Sequence, residues 1–297
     1  MTYSGSNFPT GLSINSTSGV ISGSVPTANT QVEYTLTLNA LSTGSDPGVP
    51  QKVTTRQPKI IVKPIIENSL MFDGSSYLSR TFGSGSTTTW TFSAWIKRSS
   101  LNTNQNIFTP STPSGQSESQ FHFRSANDLR IYDNGGLGLN SATDMLFRDT
   151  SSFYHIVVVF DITNSVPADR VKHYVNGVLQ SDNNAGYGTN TPANNHNPIY
   201  NRNITHYIGT YGHSTSSNRL NAYMAEVNFI DGQALTPASF GETINGIWIP
   251  KVYNPTGVAQ TDYGTNGFHL TFAPSTISGT TVQDVSGRNN HWTASGF

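Results

Sequence analysis

Cleaving a glycosidic bond by double displacement takes two carboxylates about 5 Å apart, one acting as nucleophile and one as acid. Residues two positions apart on a β-strand share a face, so Glu-x-Asp-x-Glu is the strand pattern that supplies such a pair. The glutamates here are Glu33, Glu67, Glu118, Glu226 and Glu242, and none is followed by an acidic residue two positions on. Glu226 and Asp231 come nearest, but their odd spacing puts them on opposite faces of a regular strand. No G-x-S-x-G, P-loop, G-x-G-x-x-G or H-E-x-x-H pattern occurs. The eight histidines are scattered. His122, His155 and His173 fall in strand-like segments and read as half-buried residues with one hydrogen bond each rather than as general bases. The expectation is a chain that is not an enzyme.

Binding chemistry has more material. Calcium takes six to eight oxygens, usually from several carboxylates and backbone carbonyls. Asp73, Asp133, Asp161 and Asp182 lie in or beside turns and are the candidate ligands. No D-x-D-x-D cluster occurs, and isolated turn aspartates commonly cap backbone N–H groups instead. Calcium is thus a possible ion, and no other cofactor is expected. Glycan binding uses aromatic faces against sugar rings, with amides and carboxylates reading the hydroxyls. Two long loops carry such residues: 102–119 with Phe108, and 181–203 with Tyr187, His196 and Tyr200. Loops of this length in a compact domain are either functional or disordered. Packing against neighbouring subunits is the competing role for them. Trp292, just after a turn, is the fifth candidate, whereas Trp95 reads as core.

The elements that position these residues are strands. Charged residues make up 11% of the 297, against roughly 25% in an ordinary soluble domain. Ser, Thr and Asn compete with a helix for its backbone hydrogen bonds and suit turns and strand surfaces. A net charge of −1 with no basic run leaves nothing to neutralise phosphates, which argues against nucleic acid. No run nears the ~18 apolar residues of a spanning helix, so no membrane insertion is expected. Zero cysteines removes disulfides and thiol chemistry together. Met1–Ser6 has neither a basic nor an apolar leader region, so release on cell lysis is the expected way out of a cell.

Three stretches follow along the chain. In residues 1–62, Leu12 and Ile14 alternate with polar residues, a turn closes at Gly19, and Val32–Leu38 alternates with period 2. The run Pro9–Asn15 through Gly19–Gly23 resembles the opening of Ig-like modules found along bacterial and phage surface proteins. A full Ig-like sandwich takes about 100 residues, so this unit is expected to be partial. Residues 63–246 hold short strands at close intervals, among them 90–97, 120–124, 129–133, 155–161, 171–175 and 224–230. One short helix is expected at Thr236–Phe240, with Thr236 as its cap and Pro237 in its first turn. Within this stretch Leu70–Leu78, Trp90–Lys97, Phe153–Asp161, Lys172–Val178 and Tyr223–Leu235 resemble, in order, five motifs of laminin-G-like jelly rolls. The resemblance implies an all-β fold: an antiparallel, concanavalin A-like jelly-roll β-sandwich behind a small N-terminal Ig-like β unit. It also raises calcium at a loop rim, and it marks Glu226 as a structural acid of the closing strand.

Residues 247–297 depart from the family order. Gly267–Phe272 and Asp284–Trp292 resemble a segment that normally precedes the body, so this stretch is expected to be an extension reaching back as an edge strand, or the start of a further β unit. Ile247–Lys251 followed by Tyr263–Phe268 resembles virion proteins of marine bacteriophages. The functional expectation is a structural and adhesion protein on a virion surface, as a tail fibre, appendage or capsid decoration. Its expected partners are other virion proteins, further copies of itself and host-surface polysaccharide. A secreted bacterial adhesin or carbohydrate-binding module is the alternative, and a glycoside hydrolase of the same fold is disfavoured by the missing carboxylate pair.

Overall fold

The computed structural model describes residues 1–25, 32–42, 53–62, 66–112, 118–133, 138–181, 191–212, 214, 217–253 and 263–297. It divides into two compact units, Met1–Ile65 with Ile249–Val252, and Ile66–Trp248 with Tyr253–Phe297. No α-helix occurs among the described residues.

The first unit has strands β1 (Thr2–Ser6), β2 (Leu12–Ile14), β3 (Ile21–Gly23), β4 (Val32–Thr35), β5 (Thr37–Leu41), β6 (Val53–Arg56) and β7 (Lys59–Val62). They form a three-stranded sheet in the order β1-β5-β6 and two two-stranded sheets, β2-β3 and β4-β7. The β2–β3 turn is built by Asn15, whose side-chain oxygen accepts the amides of Thr17 and Ser18, both at 2.9 Å, and by Gly19 at φ +73°.

The second unit starts with β8 (Leu70–Asp73), β9 (Tyr77–Thr81), β10 (Thr89–Arg98), β11 (Gln105–Pro110), β12 (Gln120–Phe123), β13 (Leu129–Asp133) and β14 (Leu139–Ala142). It continues with β15 (Tyr154–Asp161), β16 (Val171–Val175), β17 (Val178–Leu179), β18 (Thr205–Ile208) and β19 (Asn221–Asp231). The last strands are β20 (Gly241–Ile244), β21 (Ile247–Pro250), whose Ile249 and Pro250 are counted with the first unit, β22 (Phe268–Leu270), β23 (Ile277–Ser278), β24 (Thr281–Val282) and β25 (Trp292–Ser295). One seven-stranded sheet runs β17-β16-β15-β10-β19-β22, with β8 also on β19. A nine-stranded sheet runs β14-β13-β12-β11-β18-β9-β25-β24-β23. Every pairing within the two sheets is antiparallel.

Strand alternation decides what lies between the sheets. Trp90, Phe92, Ala94 and Ile96 of β10 point into one core with Phe121, Phe123, Leu129 and Ile131 of β12 and β13. The opposite face of β10 and its neighbours is covered too. Val157, Val159 and Ile230 pack under Phe240 and Tyr263, so these strands are buried on both sides. From the last part of the chain, β22 joins one of these sheets and β23 to β25 join the other. The expected helix at 236–240 is a single 3-10 turn, Pro237–Ser239, and Thr236 makes no side-chain cap.

Candidate functional site

Three of the aromatic residues expected to form a sugar platform, Phe108, Tyr200 and Trp292, are core residues, which corrects that expectation. Phe108 lies on β11 and is fully buried, with its ring stacked 5.4 Å from that of Phe92. The expected long loop is interrupted there by a strand. Tyr200 is also fully buried, 5.5 Å from Trp90 between ring centroids. Trp292 is buried against Phe268 and Phe82, at 5.0 and 6.0 Å. None of the three can offer a ring face to a ligand. Tyr187 and Asp182 lie outside the described residues.

His196 is brought to Asp133, one of the candidate metal ligands, with Nε2 2.8 Å from Oδ2. Asp133 is fully buried and also accepts Ser119 Oγ at 2.6 Å and the Ile199 amide at 3.0 Å. It anchors the loop that returns to β18, a structural use of both residues. Asp73 accepts the amides of Ser75 and Ser76 and the Ser75 hydroxyl, and these bonds hold its carboxyl down at about 2. Asp161 accepts the amide and hydroxyl of Thr163 at 3.0 and 2.5 Å. It also lines a cavity of about 240 Å³ with Asn164, Asp169, Lys172 and Tyr174. There the Lys172 ammonium sits 3.0 Å from Asp169 and counters the acidic charge. Asp73, Asp133 and Asp161 thus each close their own turn or loop, and no group of three potential ligands forms among the described residues.

Glu226 and Asp231 are likewise committed. Glu226 sits at φ +48°, where the β10–β19 register shifts, and accepts His269 Nε2 at 2.7 Å. Asp231 ties the Ser86 and Asn266 amides and the Asn201 side chain together at 2.8, 3.0 and 2.6 Å.

A cavity of about 330 Å³ opens elsewhere, on the outer face of β12 and β13. It is lined by Asn104, Gln120, His122, Arg124, Ser125, Ala126, Arg130, Tyr132 and Asn218. Period-2 alternation builds it. Phe121, Phe123, Leu129 and Ile131 point inward, so Gln120, His122, Arg130 and Tyr132 must point outward. Register then pairs Gln120 with Tyr132 and His122 with Arg130 across the two strands, with Asn106 beside His122 on β11. At the hairpin end Asn127 takes φ +72°, and Arg124 grips Asp128, with Nε at 2.8 and 3.0 Å from its oxygens. Asn104 Oδ1 accepts the Ser125 amide at 2.9 Å and closes that end.

The arginine and aromatic groups are interlocked. The Arg130 guanidinium lies 4.4 Å over the Tyr132 ring, and its Nε donates to Asn140 Oδ1 at 2.7 Å. His122 meets Tyr132 edge-on at 5.8 Å. His122 is only 4% exposed, and its Nδ1 is buried with no hydrogen-bond partner. Burial, helped by Arg130 and Arg124, pushes the imidazole down to about 3, so it is neutral at physiological pH. Burial also pushes the Tyr132 hydroxyl up, reinforced by nearby Glu118. The sequence patterns Gln120-x-His122-x-Arg124 and Arg130-x-Tyr132 carry this polar face, but alternation alone does not distinguish an open face from a covered one.

Fold and groove together define a lectin-like β-sandwich. Residues 72–239 match the family model described as "Concanavalin A-like lectin/glucanases superfamily", and the chain belongs to that family. Residues 1–56 match a second model, "Putative Ig domain". No curated protein matches the chain. Among solved structures it is similar to a "putative carbohydrate binding protein" from Bacteroides ovatus, at 18% identity and a TM-score of 0.53, covering 90% of this chain and 67% of that one. It is also similar to the SAP-like pentraxin of Limulus polyphemus, at 16% identity and a TM-score of 0.43, over 57% and 77% of the two chains. A Trypanosoma rangeli sialidase follows at 14% identity and a TM-score of 0.39, over 57% of this chain and 25% of that one. At 18% identity the likeness to the Bacteroides ovatus protein is one of fold.

Proposed function

We propose that this protein is a non-catalytic structural and adhesion protein of a bacteriophage virion surface, whose jelly roll binds host-surface glycan in the β12–β13 groove. The observation that carries the binding reading is the groove itself. It is an open cavity of about 330 Å³ whose described lining is almost wholly polar, with two side-chain amides of asparagine, one of glutamine, a hydroxyl and a neutral imidazole. Such donors and acceptors read sugar hydroxyls, and the volume lies at the small end of ligand pockets, room for one or two sugar rings. The family's description names lectins alongside glucanases, and the Bacteroides ovatus protein is described as carbohydrate-binding, so both point to glycan as the ligand class. The non-catalytic part is supported by the groove's described lining, which holds no carboxylate pair, and by the structural commitments of Glu226 and Asp231.

The virion part is supported by the Ig-like and jelly-roll pairing and by the phage-like motifs Ile247–Lys251 and Tyr263–Phe268. A charge-poor surface also suits close packing with other virion proteins and with further copies of the chain, because few charges need desolvating. The test has two arms. Binding to a panel of cell-surface oligosaccharides is expected, with loss on Asn104→Ala plus Gln120→Ala and no release of reducing ends. Mass spectrometry of purified phage particles is expected to find the chain. Failure to bind any glycan overturns the first reading, and absence from particles overturns the second.

A further inference from the structure

We infer that His122 is the residue that selects the ligand of the β12–β13 groove, its Nε2 reading a hydroxyl of an uncharged sugar; this rests on the groove being a glycan site. Every other histidine among the described residues has a hydrogen-bond partner. His155 pairs with Ser93, His173 with Ser141, His196 with Asp133, His206 with Asn201, His269 with Glu226 and His291 with Asp284. His122, which lines the groove, makes no hydrogen bond among the described residues. It is 4% exposed and meets the Tyr132 ring edge-on at 5.8 Å. Its Nδ1 is walled in by protein, so Nε2 is the nitrogen left for the cavity. A nearly buried nitrogen without a partner is costly to keep, and a ligand hydroxyl supplies the partner.

The hydroxyl follows from the state of the ring and from what surrounds it. Burial, helped by Arg130 and Arg124, holds the imidazole at about 3, so near neutral pH it has one N–H and one lone pair. No protein group fixes which nitrogen carries the proton. Nε2 can therefore donate or accept, and a hydroxyl answers in either sense. The guanidiniums are committed elsewhere. Arg124 donates through Nε to both Asp128 oxygens, and Arg130 is engaged by Asn140, by the Tyr132 ring and by a further contact. The same cover over Tyr132 denies a sugar a ring face to stack on. The rest of the described lining includes the neutral residues Asn104, Ser125 and Asn218 beside His122. Such a site works by hydrogen bonds between uncharged groups, which suits a neutral sugar held in about the millimolar range.

The test is ligand-observed NMR of the full chain with neutral (cello-, manno- and chito-oligosaccharide), carboxylated (oligogalacturonate) and sulfated (oligocarrageenan) sets. His122→Phe keeps a ring and removes both nitrogens, His122→Gln keeps an amide, and circular dichroism checks that each is folded. A neutral set is expected to bind tightest, with Kd constant within about twofold as salt rises from about 0.05 to 0.5 M. His122→Phe is expected to weaken that binding about three- to tenfold, and His122→Gln less. An anionic set binding tightest, and losing affinity as salt rises, overturns the uncharged assignment while leaving a glycan site. A neutral set bound equally by the native chain and His122→Phe overturns the selecting role of His122. No binding to any set overturns the glycan reading, and the role of His122 falls with it. If both variants misfold, monodeoxy analogues of the bound sugar take their place on the native chain. One analogue is expected to lose about the same factor, and equal binding by all of them overturns the hydroxyl contact.

Discussion

Trp248 Nε1 donates a 2.9 Å hydrogen bond to His155 Nδ1, which fixes the tautomer of a fully buried imidazole. With Nδ1 accepting, Nε2 carries the proton and donates to Ser93 Oγ at 2.9 Å. The ring is stacked on Trp95 at 4.7 Å and faces Trp248 at 5.9 Å. Trp248→Phe keeps an aromatic cover but leaves Nδ1 buried and unpaired. The expected loss is about 1–3 kcal/mol, read as a lower urea midpoint with unchanged slope. A midpoint equal to the native one would show that the bond contributes nothing.

Acid should weaken the fold over a defined window. Burial pushes His122, His155 and His206 each down to about 3, from an ordinary value of 6.5. Between those values the unfolded chain binds protons that the folded chain refuses, so stability rises with pH there. It is fully present above pH 6.5 and is lost as pH falls toward 3, by up to about 1.4 kcal/mol per pH unit for each histidine. Denaturant midpoints at pH 7, 6 and 5 should fall progressively, and a flat series would refute the assignment.

Trp292 belongs to the core, and its removal should cost accordingly. Trp292→Ala leaves a cavity beside Phe82 and Phe268, with an expected loss of about 3–5 kcal/mol. Deleting residues 264–297 also removes Phe268 and Leu270 from the core and is expected to give a chain without a cooperative thermal transition. A truncated chain melting like the native one would show that the last strands are dispensable.

Arg98 is fully buried at an inward position of β10. Its Nη1 donates to Phe147 O at 2.7 Å and Asn127 Oδ1 at 3.2 Å, while Nε and Nη2 make no hydrogen bond. No ion pair to it forms among the described residues, and burial lowers it to about 10. An apolar side chain of similar volume avoids that desolvation, so Arg98→Met is expected to be neutral or stabilising by about 1 kcal/mol or more. Arg98→Ala, which leaves a void over the Phe123 ring, is expected to destabilise. Melting curves of the two variants separate charge from volume.

Calcium at about 5 mM is expected to leave the melting temperature within about 1 °C of that in chelator, because ligand-linked stabilisation requires a site. Asp73, Asp133 and Asp161 already accept protein N–H or O–H groups in separate turns and loops. A rise of several degrees would show that they, or other residues, gather an ion.

Much of the sandwich was legible because alternation is a local signal. The bounds expected for 129–133 and 171–175 coincide with β13 and β16. β11 was hidden because Gln105 to Pro110 are buried on both faces, which erases the polar–apolar rhythm and makes Phe108 look like a loop aromatic. Trp292 and Tyr200 misled for a related reason: turn residues around them mark the chain path but not what the next strand packs against.

Local chemistry alone determined the strand periods, the turn at Gly19, the five jelly-roll motifs and the lack of a carboxylate pair. The tertiary structure decided which outward faces stay open. Val157 and Val159 are covered by Phe240 and Tyr263, far along the chain, while Gln120, His122, Arg130 and Tyr132 are left lining a groove. That choice depends on which distant strands pair and in what register, and period 2 carries no information about partners separated by a hundred residues.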